Sequence, residues 1–390
     1  MTYKHGISIE ESPTSINPPL VSGTVPVVFG TAPSADAPVN EPVLCYTNTE
    51  AVDSLGYDDD WTKYTLCEFM YSHFQLFQQS PVVFVNVGTT ATATDIVGDV
   101  DADGKQTGLE LVDQVFPRFG IVPSLILAPG FSHESTVAAA MLAKAGSVNG
   151  QFKCLALIDV DTSTNYAGVT TWKSTNNVTS ERQILCYPML SLGDKIFHLS
   201  TQLAGVICKV NAENNNIPYE SPSNKSLQAD GTVLKDGTPM FLGIDQANAL
   251  NGQGIMTAIN ISGGFKAWGS RTAAYPTSTD VKDAFIPVRS MFDWMSNTII
   301  LTYWNKLDGP ITNRLIESIT DGINIWFNGL RSGGYILGGN IQYLASENSI
   351  DNIIDGKIKF HVYVTPPTPA REISFEIEYD AQYLTSALGV

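Results

Sequence analysis

The sequence predicts an α/β plus α+β chain. It would have an α/β body built on a mixed sheet, then a C-terminal α+β region, with extended arms at both ends. Three observations predict this. Short β-branched runs alternate with helical spacing through 82–212. Two long amphipathic segments follow at 288–307 and 311–330. Proline-rich stretches set off short alternating strands at the two ends.

Taken in order, Tyr3, Ile7 and Ile9 alternate with polar residues and read as a short strand. ESPTSINPP then reads as an extended linker, because proline fixes φ and Ser, Thr and Asn favour turns. TVPVVFGTAP (24–33) is a buried strand closed by Gly and Pro. VVFVNVG (82–88), PSLILAPG (123–130), FKCLALIDV (152–160) and QILCYPML (183–190) are near-continuous apolar runs, as strands covered on both faces require. GLELVDQVF (108–116), ESTVAAAMLAKAGSVNG (134–150) and the run from 195 to 212 have helical spacing between them. Strand, helix, strand at these lengths is the βαβ unit, so the sheet should be largely parallel. IMTAINISGGFKAWGSRT (255–272) reads as strands about a Gly-Gly turn. In 311–330, Leu315, Ile316, Ile319, Ile323, Trp326, Phe327 and Leu330 share one broad face, with Pro310 before and Gly333-Gly334 after as helix punctuation. Gly338-Gly339 reads as a turn. GKIKFHVYV (356–364) is a strand, then a proline tether, then REISFEIEYDAQYL (371–384).

Composition bounds the function. Of 390 residues, 43% are hydrophobic and only 16% charged, so this is a folded chain with much uncharged surface. A net charge of -17 repels phosphate backbones and anionic membranes, which argues against nucleic acid as a partner. The five cysteines are scattered without a CxxC pair and read as buried thiols, with neither a disulfide framework nor a zinc site. MTYKHGISIEES lacks an apolar signal core, and no apolar run approaches membrane-spanning length. No nucleotide-binding glycine motif is present, and no cofactor is expected.

Three sets of residues deserve weighing for chemistry. GFSHES places Ser132, His133 and Ser135 together, but without a GxSxG elbow; the simpler reading is a helix N-terminus. An α/β hydrolase using Ser132 is the rival function. Asp99, Asp101, Asp103 and Glu110 match positions 1, 3, 5 and 12 of an EF-hand loop, yet what precedes them reads as strand and loop, so an acidic surface turn is the plainer account. On 311–330, Arg314, Glu317 and Asp321 lie opposite the apolar stripe; they are a solvated face or a polar contact surface.

The terminal strand is the most informative element. Ile373, Phe375, Ile377 and Tyr379 alternate with acidic residues, whereas Ile358, Phe360 and Val362 alternate with Lys357, Lys359 and His361. The two strands are complementary, as cross-strand pairs prefer. They could pair within one chain. However, TPPTPA spans rather than turns, so the strand is expected to be donated to the sheet of a neighbouring copy, as is the N-terminal strand of Tyr3, Ile7 and Ile9 to another.

YKHGISIEE (3–11), VPVVFGTAP (25–33), TGLELVDQVFPRFGIVPSLILAPGFS (107–132), YESPSNKSL (219–227), GFKAWGSRT (264–272) and TPPTPAREISFEIEY (365–379) together resemble the sheath proteins of contractile phage tails, R-type bacteriocins and contractile injection systems. The resemblance covers most of the chain in order; 161–182 and 228–250 carry no signature. It implies an outer subtilisin-like α/β domain and an inner C-terminal domain against a tube. The expected organisation is an N-terminal arm (1–20), an outer domain (21–250, of which 21–50 could pack with the C-terminal domain), an inner domain (251–365) and a donor-strand arm (366–390). It further implies self-assembly into stacked hexameric rings around an inner tail tube protein, baseplate and tail terminator proteins as partners, and one-way contraction. Assembly in the bacterial host cytoplasm would precede release as a virion or contractile particle.

Overall fold

The structure is a computed structural model and describes residues 23–261 and 263–389. Its centre is an eight-stranded sheet. The strands are β1 (Pro26–Gly30), β2 (Pro42–Cys45), β3 (Val82–Asn86), β4 (Leu125–Leu127), β5 (Leu155–Asp159) and β6 (Gln183–Cys186). Three more, β7 (Met189–Leu192), β8 (Lys195–Phe197) and β9 (Gly231–Val233), form a small separate sheet. The large sheet is completed by β10 (Ile255–Asn260) and β11 (Phe265–Trp268), giving the order β11-β10-β6-β5-β4-β1-β3-β2. Every central pairing is parallel; β2 and β11 run antiparallel at the two edges.

Alternation within each buried strand divides the core in two. Val28, Phe84, Leu127, Leu157 and Ile184 face one apolar cluster, which the helix Leu199–Glu213 covers. Val27, Phe29, Val85, Ile126, Ile158 and Leu185 face the other, covered by Val112–Phe119 and Ser135–Gly146. Helices therefore lie on both faces of the sheet, and the near-continuous apolar strand sequences follow from that. Close approach needs glycine at Gly205, where an added Cβ would lie 2.4 Å from the Phe77 ring. All five cysteines are buried and unpaired.

Beyond the sheet, Ile286–Tyr303 and Asn313–Ser332 are the two long helices. Thr312 caps the second through its hydroxyl, which accepts from the Leu315 N–H at 3.2 Å. The small sheet β12 (Gly338–Gln342) and β13 (His361–Thr365) packs on that helix, antiparallel, with Ile341 opposite Val362. Met291, Trp294, Met295, Ile323, Phe327, Leu330, Ile336 and Ile341 make this region's own core. The 286–303 helix is also fastened to the α/β body. Asp293 accepts from Arg182 at 2.8 and 3.1 Å and from Arg289 at 3.0 Å, all three side chains being buried. Asn297 exchanges two hydrogen bonds with the Lys153 backbone.

Several expectations change. Within the 21–50 stretch, β1 and β2 belong to the large sheet, while Gly23 and Thr24 line a hollow with Ser290, Asp293 and Asn297 of the 286–303 helix. The hairpin 255–268 pairs with β6, carrying the α/β body past the boundary expected at 251. QILCYPML is two strands in two sheets, divided at Tyr187-Pro188. Gly338-Gly339 opens β12 and makes no turn; a Cβ on Gly339 would come within 2.9 Å of the Phe327 ring. QYL (382–384) belongs to the helix Ala381–Leu388, which Asp380 starts by accepting from the Gln382 N–H.

Candidate functional site: the C-terminal arm and an open sheet edge

Among the described residues, β13 pairs with β12 alone, so its other edge carries no strand, whereas β12 is met at Ile341 by the Asn324 side chain. A two-stranded sheet is marginal by itself. Here Ile341 is buried, and Phe360 and Val364 pack on the same cluster. Within the expected acceptor strand, Lys357, Ile358, Lys359 and Phe360 precede the ladder; only Val362 lies in it. Asn348 holds this approach in place: its Oδ1 accepts from the Lys359 N–H at 2.7 Å and its amide donates to the Lys359 carbonyl at 2.9 Å.

The basic face is already matched within the chain. Lys357 meets Asp355 at 2.5 Å, and Glu347 meets both Lys359 and His361 at 3.0 Å. Hydrogen bonds from His361 and Lys359 hold the Glu347 carboxyl below the ordinary value. The charge complementarity expected between this face and the acidic terminal strand is thus taken up locally. What remains for a partner is main-chain donors and acceptors on the edge.

Residues 371–380 form no ladder among the described residues. The intrachain hairpin is not made. Ile373, Phe375, Ile377 and Tyr379 are 71%, 85%, 94% and 77% exposed. An alternating apolar face held this far into water is an unfilled interaction surface. The corresponding N-terminal residues, Tyr3, Ile7 and Ile9, lie outside the described residues.

Arg314, Glu317 and Asp321 stand exposed along one side of the 313–332 helix and make no ion pair among the described residues. Asn324, read as part of the same polar face, instead binds β12, exchanging hydrogen bonds with the Ile341 backbone.

The catalytic candidate does not assemble. Ser132 is buried; its hydroxyl donates to Asp159 Oδ2 at 3.0 Å and accepts from the Asp159 N–H at 3.0 Å. His133 turns instead to Glu134, at 3.6 Å. Asp159 also accepts from the Ser200 N–H and hydroxyl, at 3.1 and 2.5 Å. Nearby, His198 Nδ1 lies 2.8 Å from Glu68. Burial alone would lower the His198 pKa, but the Glu68 charge and hydrogen bond outweigh it and push it up to about 9. Burial raises the Asp159 pKa. A nucleophile bonded to an acid, with the imidazole tied to a different carboxylate, is a satisfied core network. Sequence reading missed it, because Glu68 and His198 are 130 residues apart.

The acidic loop closes on itself. Asp101 Oδ1 accepts from the Asp103 and Lys105 N–H groups at 3.0 and 2.8 Å, while Glu110 pairs with Lys144 at 2.6 Å. Asp99, Asp101, Asp103 and Glu110 do not come together, and among the described residues no group of three or more His, Cys, Asp or Glu is placed to hold a metal. Among them, too, no helix is long and apolar enough to cross a membrane.

No protein-family model matches the chain. It is 28% identical over 379 residues to a prophage major tail sheath protein of Pseudomonas aeruginosa strain UCBPP-PA14, a match covering 93% of this chain and 92% of that one. It is 27% identical over 317 residues to the tail sheath protein of Burkholderia phage BcepMu, covering 77% of this chain and 64% of the phage protein. Its fold matches the sheath complex of the extracellular contractile injection system PVC in the contracted state, with TM-score 0.70, 17% identity, and 98% and 99% coverage. These relatives and this structural neighbour are sheath proteins by name.

Proposed function

From its homology to phage tail sheath proteins and its sheath fold, we propose that this chain is the structural subunit of a contractile tail sheath. Copies are linked by strand donation. The observation that carries the reading is the exposed alternating face of Ile373, Phe375, Ile377 and Tyr379 next to an open β12–β13 edge. Residues 371–380 of one copy add to the β13 edge of a neighbour. Main-chain hydrogen bonds supply affinity, and the alternate side chains bury apolar surface. Such a link is heterologous and need not close on itself, so it builds a mesh. The N-terminal strand carrying Tyr3, Ile7 and Ile9 serves a second neighbour in the same way.

In this reading the α/β body (from residue 21) lies outside, the C-terminal region up to 365 lies inside, and 1–20 and 366–390 are arms. Stacked hexameric rings surround an inner tube, which the Arg314, Glu317 and Asp321 stripe touches. Polar contacts of that kind hold and release more readily than an apolar patch. Baseplate and terminator proteins bound the polymer, which forms in the host cytoplasm and leaves with the particle. The Arg182–Asp293–Arg289 cluster fastens the helical region to the sheet, which suits subunits that move as rigid bodies while interfaces repack. Contraction releases energy trapped during assembly and needs no nucleotide.

Deleting residues 371–390 tests the reading. The truncated chain should fold with an unchanged circular dichroism spectrum yet form no ordered tubes by electron microscopy. Normal tubes from it would remove the arm's role.

A further inference from the structure

Beyond the donor strand the chain continues into the helix Ala381–Leu388. Asp380 caps it, its carboxylate accepting from the Gln382 N–H at 2.9 Å, so no linker separates strand from helix. Helical spacing puts Tyr383, Leu384, Ala387 and Leu388 on one side, with Gln382 and Ser386 opposite. Tyr383, Leu384 and Leu388 are all exposed. An isolated helix of eight residues is marginal in water, so this face needs a surface to lie on. A second apolar face stands exposed on the approach to β13. In the short helix Ile350–Ile354, Ile350 and Ile354 are one turn apart and 75% and 79% exposed.

The β13 edge decides which way a donated strand runs. Main-chain groups alternate in direction along a strand. Lys359 gives its N–H and carbonyl to Asn348, which also bonds the Leu344 carbonyl just beyond β12. The Thr365 carbonyl accepts from the Leu337 N–H at 2.9 Å, again on the β12 side. The N–H and carbonyl groups of Phe360, Val362 and Val364 therefore turn to the open edge. An antiparallel strand pairing Ile377 with Phe360, Phe375 with Val362 and Ile373 with Val364 extends the apolar layer to which Phe360 and Val364 already belong. On its other face it sets Glu378 opposite Lys359, Glu376 opposite His361 and Asp380 opposite Lys357. A parallel strand with equally good apolar matches leaves two such pairs, Glu372 with Lys357 and Glu376 with His361. Asp355 and Glu347 already meet these bases, so the cross-strand pairs select a direction more than they add strength. The antiparallel strand ends beside Lys357, whose N–H donates to the Asn352 carbonyl at 2.8 Å, in the middle of the 350–354 helix. Eight helical residues reach about 12 Å from that point.

We propose that the helix Ala381–Leu388 of a donated arm seats Tyr383, Leu384 and Leu388 on Ile350 and Ile354 of the copy that receives the strand. The seat rests on the strand-donation reading and adds a side-chain contact to its main-chain one. The strand engages the edge; the helix holds its far end and so fixes register, which a one-residue slip would invert.

The test uses the full-length, assembled protein with two cysteine pairs, each in a mixture of ¹⁵N-labelled and unlabelled chains. Phe375→Cys with Val362→Cys reports the strand, and Leu384→Cys with Ile354→Cys reports the helix. All four positions are exposed and the native cysteines are buried. A short bis-maleimide should join both pairs, in peptides of mixed isotope. A joined strand pair with no 384–354 product above the single-cysteine controls would overturn the seat and leave strand donation standing. Loss of both products would overturn strand donation with it. A 384–354 product of single isotope only would return the helix to its own chain and overturn the seat. Ile354→Ser and Leu384→Ser should each raise the protein concentration needed for polymer roughly tenfold, through loss of one apolar contact, and together scarcely more. Effects that multiply would give the two faces to separate partners, such as the inner tube, and overturn the pairing.

Discussion

His73 is the sharpest internal test of how the body is held together. It lies in the π-helical turn Tyr71–Leu76, fully buried, its ring 5.0 Å from that of Phe69 and stacked on it. Neither ring nitrogen has a hydrogen-bond partner among the described residues. Burial pushes its pKa down to about 3 from an unperturbed 6.5. A folded-state pKa below the unfolded one means that the unfolded chain takes up the proton first. The neutral ring's contribution is therefore complete above pH 6.5 and drains away as the pH falls toward 3. Linkage gives a loss of about 2 kcal/mol between pH 7 and pH 5, rising toward about 5 kcal/mol at the acid limit. His73→Phe or His73→Leu should remove this dependence whatever its fixed packing cost. Urea unfolding of wild type and variant at pH 7, 6 and 5 measures it. The difference between the two should shift in the variant's favour by about 2 kcal/mol across that range. Parallel pH curves would refute the assignment of a neutral, unpartnered imidazole.

Three further outcomes follow from particular contacts. Asp293→Ala leaves Arg182 and Arg289 buried without their carboxylate and should cost about 3–5 kcal/mol, read as a lowered urea midpoint. Ser132→Ala takes one hydroxyl from Asp159 and should cost about 1–3 kcal/mol of stability with no hydrolytic activity to lose; a loss of activity that the stability loss does not explain would restore the hydrolase. Phe375→Ala with Ile377→Ala removes two side chains whose burial is worth about 1.5–3 kcal/mol each; the protein concentration needed for polymer, measured by sedimentation, should rise at least about a hundredfold.

Much of the sheet was legible because a strand covered on both faces has to be largely apolar: β1 is so throughout, and β3, β5 and β6 are so but for one terminal polar residue each, Asn86, Asp159 and Gln183. The long helices showed through their apolar stripes. What stayed hidden was decided by distant packing. Gly338-Gly339 has turn chemistry, yet the pair lies in a strand because the Phe327 ring leaves no room for a side chain at Gly339. The 255–268 hairpin reads the same whether it joins β6 or the helical region; only register with Leu185 and Cys186 decides. Lys359 and His361 look like a face awaiting acid, because Glu347 reaches them from a short 3₁₀ turn that no periodicity marks. The arm was legible for the opposite reason: alternation next to three prolines persists whether or not a partner is present.

The most direct measurement is a high-resolution electron cryomicroscopy map of the assembled protein, read at residues 371–380. The account predicts a strand hydrogen-bonded to the β13 edge of an adjacent copy, with Phe375 and Ile377 buried. Density that returns this segment to its own β13, or leaves both side chains in solvent, would contradict it.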